Sequence, residues 1–301
     1  MAFALQLILN ALLVSALYGL MSVSYVLAHG VAQRINLAFG AVAIATSYTT
    51  ANLAVLLQTR YPGAAVGPLL MIALAAAVAH GGALGFAIDR MTVRPFIRAK
   101  ALAVLIATLG FAVALEEAAR LGNGNQERWL PRAFDETLRL AGGEAFPVQI
   151  ALVQAIVTLV ALGLAGGICL LIWRSRFGRI WRAAGDDLAM VELTGVDIGR
   201  TVMLTMILAG AAAGAAGGMM TLAYGVASYY GSFVLALKTL FVAAIGGMNS
   251  IAGALLGALI LGCFETFWTG YAPGAYRDIA SFAALTALLL LRPSGLLGRA
   301  P

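Results

Sequence analysis

The strongest constraint on this chain is the recurrence of long apolar runs, separated by short polar stretches. A helix needs about 20 consecutive apolar residues to cross a bilayer. Such runs are read at 5–28, 37–57, 64–88, 101–118, 148–173, 201–222, 233–248, 251–269 and 279–292. The seventh is short and closes on Gly246-Gly247-Met248-Asn249-Ser250, so a half-helix among eight full spans is the alternative count. Charged residues are 11% of the chain, against about 25% in a soluble domain. In lipid only helices or closed barrels satisfy their own backbone, and Leu285 to Leu291 does not alternate as a barrel strand does. The expected fold is an all-α integral membrane protein. It is one permease-like bundle over 1–301 with about 8–9 spans, including short interrupted helices. The first apolar run ends without a clear cleavage signature and is read as a retained helix.

Basic residues orient the bundle. Alternating loops put Arg34, Arg90, Arg94, Arg98, Lys100, Arg174, Arg176, Arg179, Arg182, Arg200, Arg292 and Arg299 on one side, which is 12 of the 19 Lys and Arg. That side is expected to be cytoplasmic and to hold the C-terminus, with the N-terminus external. The segment 119–147 mixes Arg120, Arg128, Arg132 and Arg139 with Glu127, Asp135, Glu136 and Glu144, and reads as a solvated external loop. The net charge of +6 therefore reports topology. Basic residues split among membrane loops make no nucleic-acid surface.

One polar island interrupts the apolar pattern between Trp173 and Arg200. It is too short for a domain and too charged for a span. Arg174, Arg176, Arg179 and Arg182 crowd its start, Gly185-Asp186-Asp187 reads as a helix start, and Leu188, Val191 and Leu193 form a short amphipathic run beside Glu192 that ends at Gly195. Such a loop suits the docking of a cytoplasmic partner that supplies energy.

No catalytic constellation is present. Cys169 and Cys263 sit in apolar runs as small core residues, and no metal-ligand spacing is found. His29 and His80 read as packing or interface residues. Neither Lys100 nor Lys238 follows a glycine, so the chain lacks a Gly-Lys-Ser/Thr phosphate loop. No cofactor is expected in this chain, and ATP would be used by partner subunits. Glu265, Asp278, Lys238, Glu116 and Glu117 lie within about two turns of span ends, where snorkelling to the interface is the plainer reading. Small residues recur at helical spacing in Gly81 and Gly85, in Gly210, Gly214, Gly217 and Gly218, and in Gly253, Gly257 and Gly262, which favours close helix contact. Two segments read as broken helices, Arg34 to Gly40 and Lys238 to Ser250, a pattern that points to a translocation path.

Four stretches carry a family resemblance. Arg34-Ile35-Asn36-Leu37-Ala38-Phe39-Gly40 resembles an I-N-F-A-H-G segment, and Gly178-Arg179 through Gly195-Val196 resembles a G-R-x-x-R-A loop with its downstream acidic pair. Gly246-Gly247 through Gly257 resembles G-G-x-x-S-x-x-G-A-x-x-G, and Pro293 to Arg299 resembles a P-x-G-x-x-G-R ending. Together they resemble the LivH-type permeases of branched-chain amino acid ABC importers, over nearly the whole chain. The resemblance implies a coupling loop at about 174–200, with Arg179, Arg182, Ala183, Gly185, Asp186, Asp187, Glu192 and Gly195 facing an ATPase. It implies a pathway near Asn36, Phe39, Gly40, Gly246, Gly247 and Ser250. Asn36 and Phe39, three apart, would share a helical face, and a charge at Phe39 would cripple uptake. Phe39 stands where the family usually has His, and Ala41 where it often has Glu. The implied partners are a second homologous permease or a copy of this chain, two cytoplasmic ATPase subunits and an external binding protein, in a bacterial inner membrane. A self-sufficient ion-coupled carrier is the alternative.

The charge asymmetry sets a direct test. A cysteine placed at Arg98 or Arg182 should label in intact cells only with a membrane-permeant thiol reagent, and one at Asp135 with an impermeant reagent. The reverse pattern would invert the topology.

Overall fold

A computed structural model describes residues 2–96, 101–130, 137–141, 148–292 and 295–297. Arg98, Lys100, Arg132, Asp135, Glu136, Glu144 and most of the Pro293–Arg299 ending lie outside them. The chain runs α1 (Ala2–Ala32), α2 (Ala38–Arg60), α3 (Val66–Ile88) with a π-helical turn Asp89–Val93, α4 (Ala101–Gly122), β1 (Arg128–Trp129), β2 (Thr137–Ala141), β3 (Val148–Ala151), α5 (Leu152–Arg174), α6 (Arg176–Asp186), α7 (Leu188–Leu193), α8 (Ile198–Tyr224), β4 (Val226–Ala227), α9 (Ser232–Gly246), α10 (Ile251–Tyr271), a 3-10 turn Gly274–Tyr276 and α11 (Arg277–Leu291). Among the described residues, 8 helices are long and apolar enough to cross a membrane. The 15-residue α9 is about 22 Å long, short of the roughly 30 Å hydrocarbon core. The bundle thus has eight full spans plus a half-helix.

Short strands modify the all-helical expectation. β1 pairs antiparallel with β4, and β2 with β3 in the register Thr137↔Ala151. Residues 148–151 were expected to open the fifth span but form β3 instead. The side chain of Gln6 makes both bonds of a strand neighbour there, donating to the Gln149 carbonyl at 2.9 Å and accepting its N–H at 3.0 Å. Local hydrophobicity carries no trace of that partner 143 residues away.

The centre of the bundle is a backbone contact. Gly81 and Gly85 of α3 face Gly210 and Gly214 of α8, and a Cβ at Gly210 would stand 2.7 Å from the Gly85 Cα. No hydrophobic drive operates between helices in lipid, so close van der Waals approach supplies the adhesion. α8 also holds α2, where the Thr221 hydroxyl donates to Ser47 Oγ at 2.7 Å in a buried setting. α1 packs along α10, with Ser22 Oγ donating to the Ala254 carbonyl at 3.2 Å.

Connections sort into two ends. At one end Trp181 Nε1 donates to the Leu27 carbonyl at 3.0 Å, Arg94 reaches the Gly199 carbonyl at 3.1 Å, and the tail N–H of Leu296 meets the Ile245 carbonyl at 2.6 Å. At the other, Tyr48 reaches the Gln126 carbonyl at 3.1 Å and Asn52 reaches Asn123 at 2.8 Å. The described basic loops, with Arg34, Arg90, Arg94 and Arg174 to Arg200, share the first end, as alternation requires.

The half-helix α9 is held by buried charge. Lys238 Nζ lies 2.6 Å from Glu265 Oε1 and 2.8 Å from Asp278 Oδ1, and Lys238 and Glu265 are each 3% exposed. Tyr18 donates to Glu265 Oε2 at 2.8 Å, Ser281 to Oε1 at 3.0 Å, and Arg277 Nε lies 3.2 Å from Asp278. These groups tie α1, α9, α10 and α11 together. The snorkelling expectation therefore fails for Lys238 and Glu265. Two positive and two negative groups neutralise one another, which makes burial affordable in a medium where an isolated charge is costly.

Two stability measurements follow. Gly85→Val should abolish folding or sharply lower the melting temperature in detergent, because its side chain would overlap the Met206 carbonyl. Gly110→Val, where a Cβ meets open space, should melt like the wild type, and equal melting of both variants would refute the seam. Lys238→Met should lose about 3 kcal/mol by stranding buried carboxylate, and Lys238→Met with Glu265→Met should regain part of it. An unchanged single variant would show that the amine is dispensable.

Candidate functional site

The polar island folds into two short helices at the basic end. Ser175 caps α6 by accepting from Gly178 N at 2.9 Å. The helix is amphipathic: Gly178, Trp181 and Ala184 are buried, and Arg176, Arg179, Arg182 and Ala183 are exposed. The Trp181 indole anchors α6 to the last turns of α1. Arg182 donates back to the Ile172 carbonyl, and Gln33 donates to the Gly185 carbonyl. Gly185 is therefore tied to the segment that joins α1 to α2.

Asp187 is the true helix start. Its carboxylate accepts from Ala189 N at 2.8 Å and Met190 N at 3.1 Å, while Asp186 closes α6. The expected acidic pair at one helix start is thus divided, because residue 187 breaks to extended backbone between the helices. Of the expected outward run Leu188, Val191 and Leu193, only Leu193 is exposed. Val191 is buried and Leu188 half-buried, whereas Met190 is 63% and Leu193 83% exposed, with Glu192 between them. Gly195 closes α7 at φ +81° and is exposed. Asp197 then caps α8 through Arg200 N at 2.9 Å, so only a short turn separates α7 from the central helix.

Sequence reasoning missed the floor of this element. Asp89 is fully buried in the π-turn at the end of α3, and its Oδ2 pairs with Arg94 at 2.7 Å. Arg94 continues to the Gly199 carbonyl at the start of α8. Arg94 registers in the sequence only as one of a basic cluster. An acid five residues earlier is a usable signal once the helix widens to π geometry, because Arg94 N then meets the Asp89 carbonyl at 2.8 Å.

The first interrupted segment lies inside the bundle. α1 ends at Ala32, Gln33 takes φ +47°, and residues 33–37 run without helix to α2. Asn36 Oδ1 accepts from Ala38 N at 2.9 Å, so Asn36 precedes the helix and the expected face shared with Phe39 does not form. Asn36 is 3% and Phe39 2% exposed. Gly40 abuts Ser232 and Ala236 at the start of α9, and Ser232 is hydrogen-bonded to Glu116, six residues before the end of α4. Because Phe39 packs in the core, a charge there would test packing before it tested any route. Among the described residues, Tyr25 Oη, His29 Nδ1, Arg34 Nε and Asn36 Nδ2 are buried polar atoms without a hydrogen-bond partner.

The second interruption is a tight hairpin. Gly246 and Gly253 meet backbone to backbone, Gly247 takes φ +108°, and Ser250 caps α10 by accepting from Gly253 N at 3.1 Å. The N–H of Leu297 meets the Gly246 carbonyl at 3.1 Å, so the tail satisfies the last carbonyls of α9. The six pathway candidates thus fall into two groups that bracket α9: Asn36, Phe39 and Gly40 at its start, and Gly246, Gly247 and Ser250 at its end. Among the described residues no group of three or more His, Cys, Asp or Glu could hold a metal.

Known proteins share this sequence from end to end. The chain is 32% identical over 298 residues, 99% of its length and 96% of the relative's, to the high-affinity branched-chain amino acid transport system permease protein LivH of Escherichia coli (strain K12). BraD of Pseudomonas aeruginosa, named for the same transport system, is 32% identical over 98% of this chain and 96% of its own. The autoinducer 2 import system permease protein LsrC of Klebsiella pneumoniae is 32% identical over 44% of this chain and 40% of its own. The solved PsaBC from Streptococcus pneumoniae in complex with Fab aligns with 95% of this chain and 91% of its own at 14% identity and a TM-score of 0.46. The family model for the branched-chain amino acid transport system permease component matches residues 7–290, and this chain belongs to that family.

Proposed function

We propose that the chain is the membrane subunit of an ABC importer for branched-chain amino acids or a related small solute such as an amide, urea or an aromatic acid. It pairs with a second permease, of its own or a homologous sequence, and with two cytoplasmic ATPases and an external binding protein. The membrane is a bacterial inner membrane, with the N-terminus outside and the C-terminus in the cytoplasm. The observation that carries this reading is α7, a short capped helix at the basic end whose Met190 and Leu193 side chains project uncovered. Apolar side chains exposed at a polar end need a protein cover.

Transmission follows from the contacts. Motion of α6 and α7 acts on α8 through the Asp197 cap and on the α1–α2 segment through Gln33 and Gly185. That segment leads to Asn36 and the buried start of α2. We place the route along α9, bracketed by Asn36, Phe39 and Gly40 and by Gly246, Gly247 and Ser250. Spare hydrogen-bonding capacity at Asn36 Nδ2 and Tyr25 Oη supports this placement. Irregular backbone at depth is tolerated where it is enclosed by protein or lines a cavity. Alternating access then amounts to rearrangement of the elements around the half-helix.

Two measurements test the proposal. Liposomes with the full complex and interior ATP should take up radiolabelled leucine, and liposomes with this chain alone and an ion gradient should not. Uptake by the chain alone would favour the ion-coupled carrier. Gly195→Trp should abolish ATPase co-purification, because bulk is added beside α7. Gly195→Asn, which tolerates positive φ, should retain it, and retained co-purification by the Trp variant would remove Gly195 from the docking surface.

A further inference from the structure

The elbow between α5 and α6 gathers positive charge where a span leaves the bilayer. Arg174 closes α5, Arg176 opens α6, and the single residue Ser175 separates the two helices. α5 lies on the rim of the bundle, with Leu159, Leu162 and Leu170 exposed along it, and its last turn carries Trp173, 78% exposed. An uncovered tryptophan at a span end marks the headgroup level. On α6 the buried residues Gly178, Trp181 and Ala184 turn toward the bundle, and Arg176 and Arg179, three apart, share the open face. The side chains of Arg174, Arg176 and Arg179 have no partner among the described residues, whereas Arg94, Arg120 and Arg277 are each paired with an acid. Asp186 is the first acid after Trp173. It lies about 10 Å along the helix axis from Arg179 and only one turn from Arg182. The arginines do not serve α6 itself, because cations in a first turn oppose the helix dipole.

We propose that this elbow binds the phosphate headgroups of anionic phospholipids. Charge and placement choose the occupant. Three unpaired guanidiniums stand beside Trp173, directly past the last residues of a lipid-facing span, and the anions at that level are lipid phosphates. A guanidinium forks onto phosphate oxygens through paired N–H donors, and basic residues clustered just past a span are drawn to an anionic membrane surface. The inference is independent of what the chain transports and needs only its membrane fold. It divides the polar island between two partners. Lipid takes the arginine face of α6, and Met190 and Leu193 of α7 are left to the docking partner proposed above. Arg179 thereby takes a different partner from the ATPase that the family resemblance implies. α6 is then held from both sides, by the Trp181 bond to α1 and by headgroups on its arginines.

The test is thermal melting of the purified full-length chain in neutral detergent, titrated with short-chain phosphatidylglycerol, phosphatidylcholine or inorganic phosphate. Phosphatidylglycerol should raise Tm saturably, and more than phosphatidylcholine, whose choline neutralises its own phosphate. High salt should weaken the wild-type response. Arg174→Gln/Arg176→Gln/Arg179→Gln should melt normally without lipid and bind phosphatidylglycerol about tenfold more weakly or worse. The matching triple lysine variant should keep most of the affinity. Arg60→Gln/Arg128→Gln/Arg200→Gln, which removes the same charge elsewhere, should bind like the wild type. Equal shifts by the two lipids, a response indifferent to salt, unchanged affinity in the first glutamine variant, or equal loss in the second would overturn the inference. The full shift from inorganic phosphate alone would give the arginines to a soluble anion. Lost ATPase co-purification in the first glutamine variant, with lipid affinity unchanged, would give them to the ATPase. Either result overturns the lipid assignment and leaves the transport reading standing.

Discussion

The backbone contact between α3 and α8 is the constraint on which the remaining structure depends. Helices in lipid gain little from burying one another's leucines, so cohesion comes from how closely main chains can approach. At Gly81, Gly85, Gly210 and Gly214 the approach leaves no room for a side chain. The seam makes α8 a fixed axis, and α1, α2 and α5 pack around it. The short helix α7 stands at one end of this axis, a few residues before Asp197 caps the start of α8.

Around that rigid centre the chain concentrates its irregularities. α2 begins inside the protein, α9 ends short, and α10 starts from a glycine hairpin. Each break frees backbone groups that lipid could not satisfy, and each is repaired by an identifiable partner. Asn36 caps α2, Ser250 caps α10, and the C-terminal residues Leu296 and Leu297 supply donors to the end of α9. The charged group of Lys238, Glu265, Asp278 and Arg277 pins α9 from a third direction. The half-helix is thus held at its start, its middle and its end.

Much was legible in the sequence. Apolar run length determined the helical membrane fold and nearly every span, because hydrocarbon admits few alternatives and imposes a minimum length. Glycine spacing marked the faces that touch, and the polar island marked the pair of short helices α6 and α7 outside the spans, because a charged stretch cannot be placed in lipid. The two interruptions were visible as Asn and Gly-Gly within apolar sequence. Tertiary structure decided everything that rests on distant partners. Residues 148–151 are a strand because β2 pairs with them, with Gln6 bonding Gln149 on the chain, and Lys238 and Glu265 are buried because they find each other across 27 residues. Which way α7 faces, with Val191 inward and Leu193 outward, was set by packing on α6 and α8, and Asp186 is separated from Asp187 by the extended backbone at 187. Local pattern records what a residue is compatible with, and the partner that satisfies it exists only once the chain is folded.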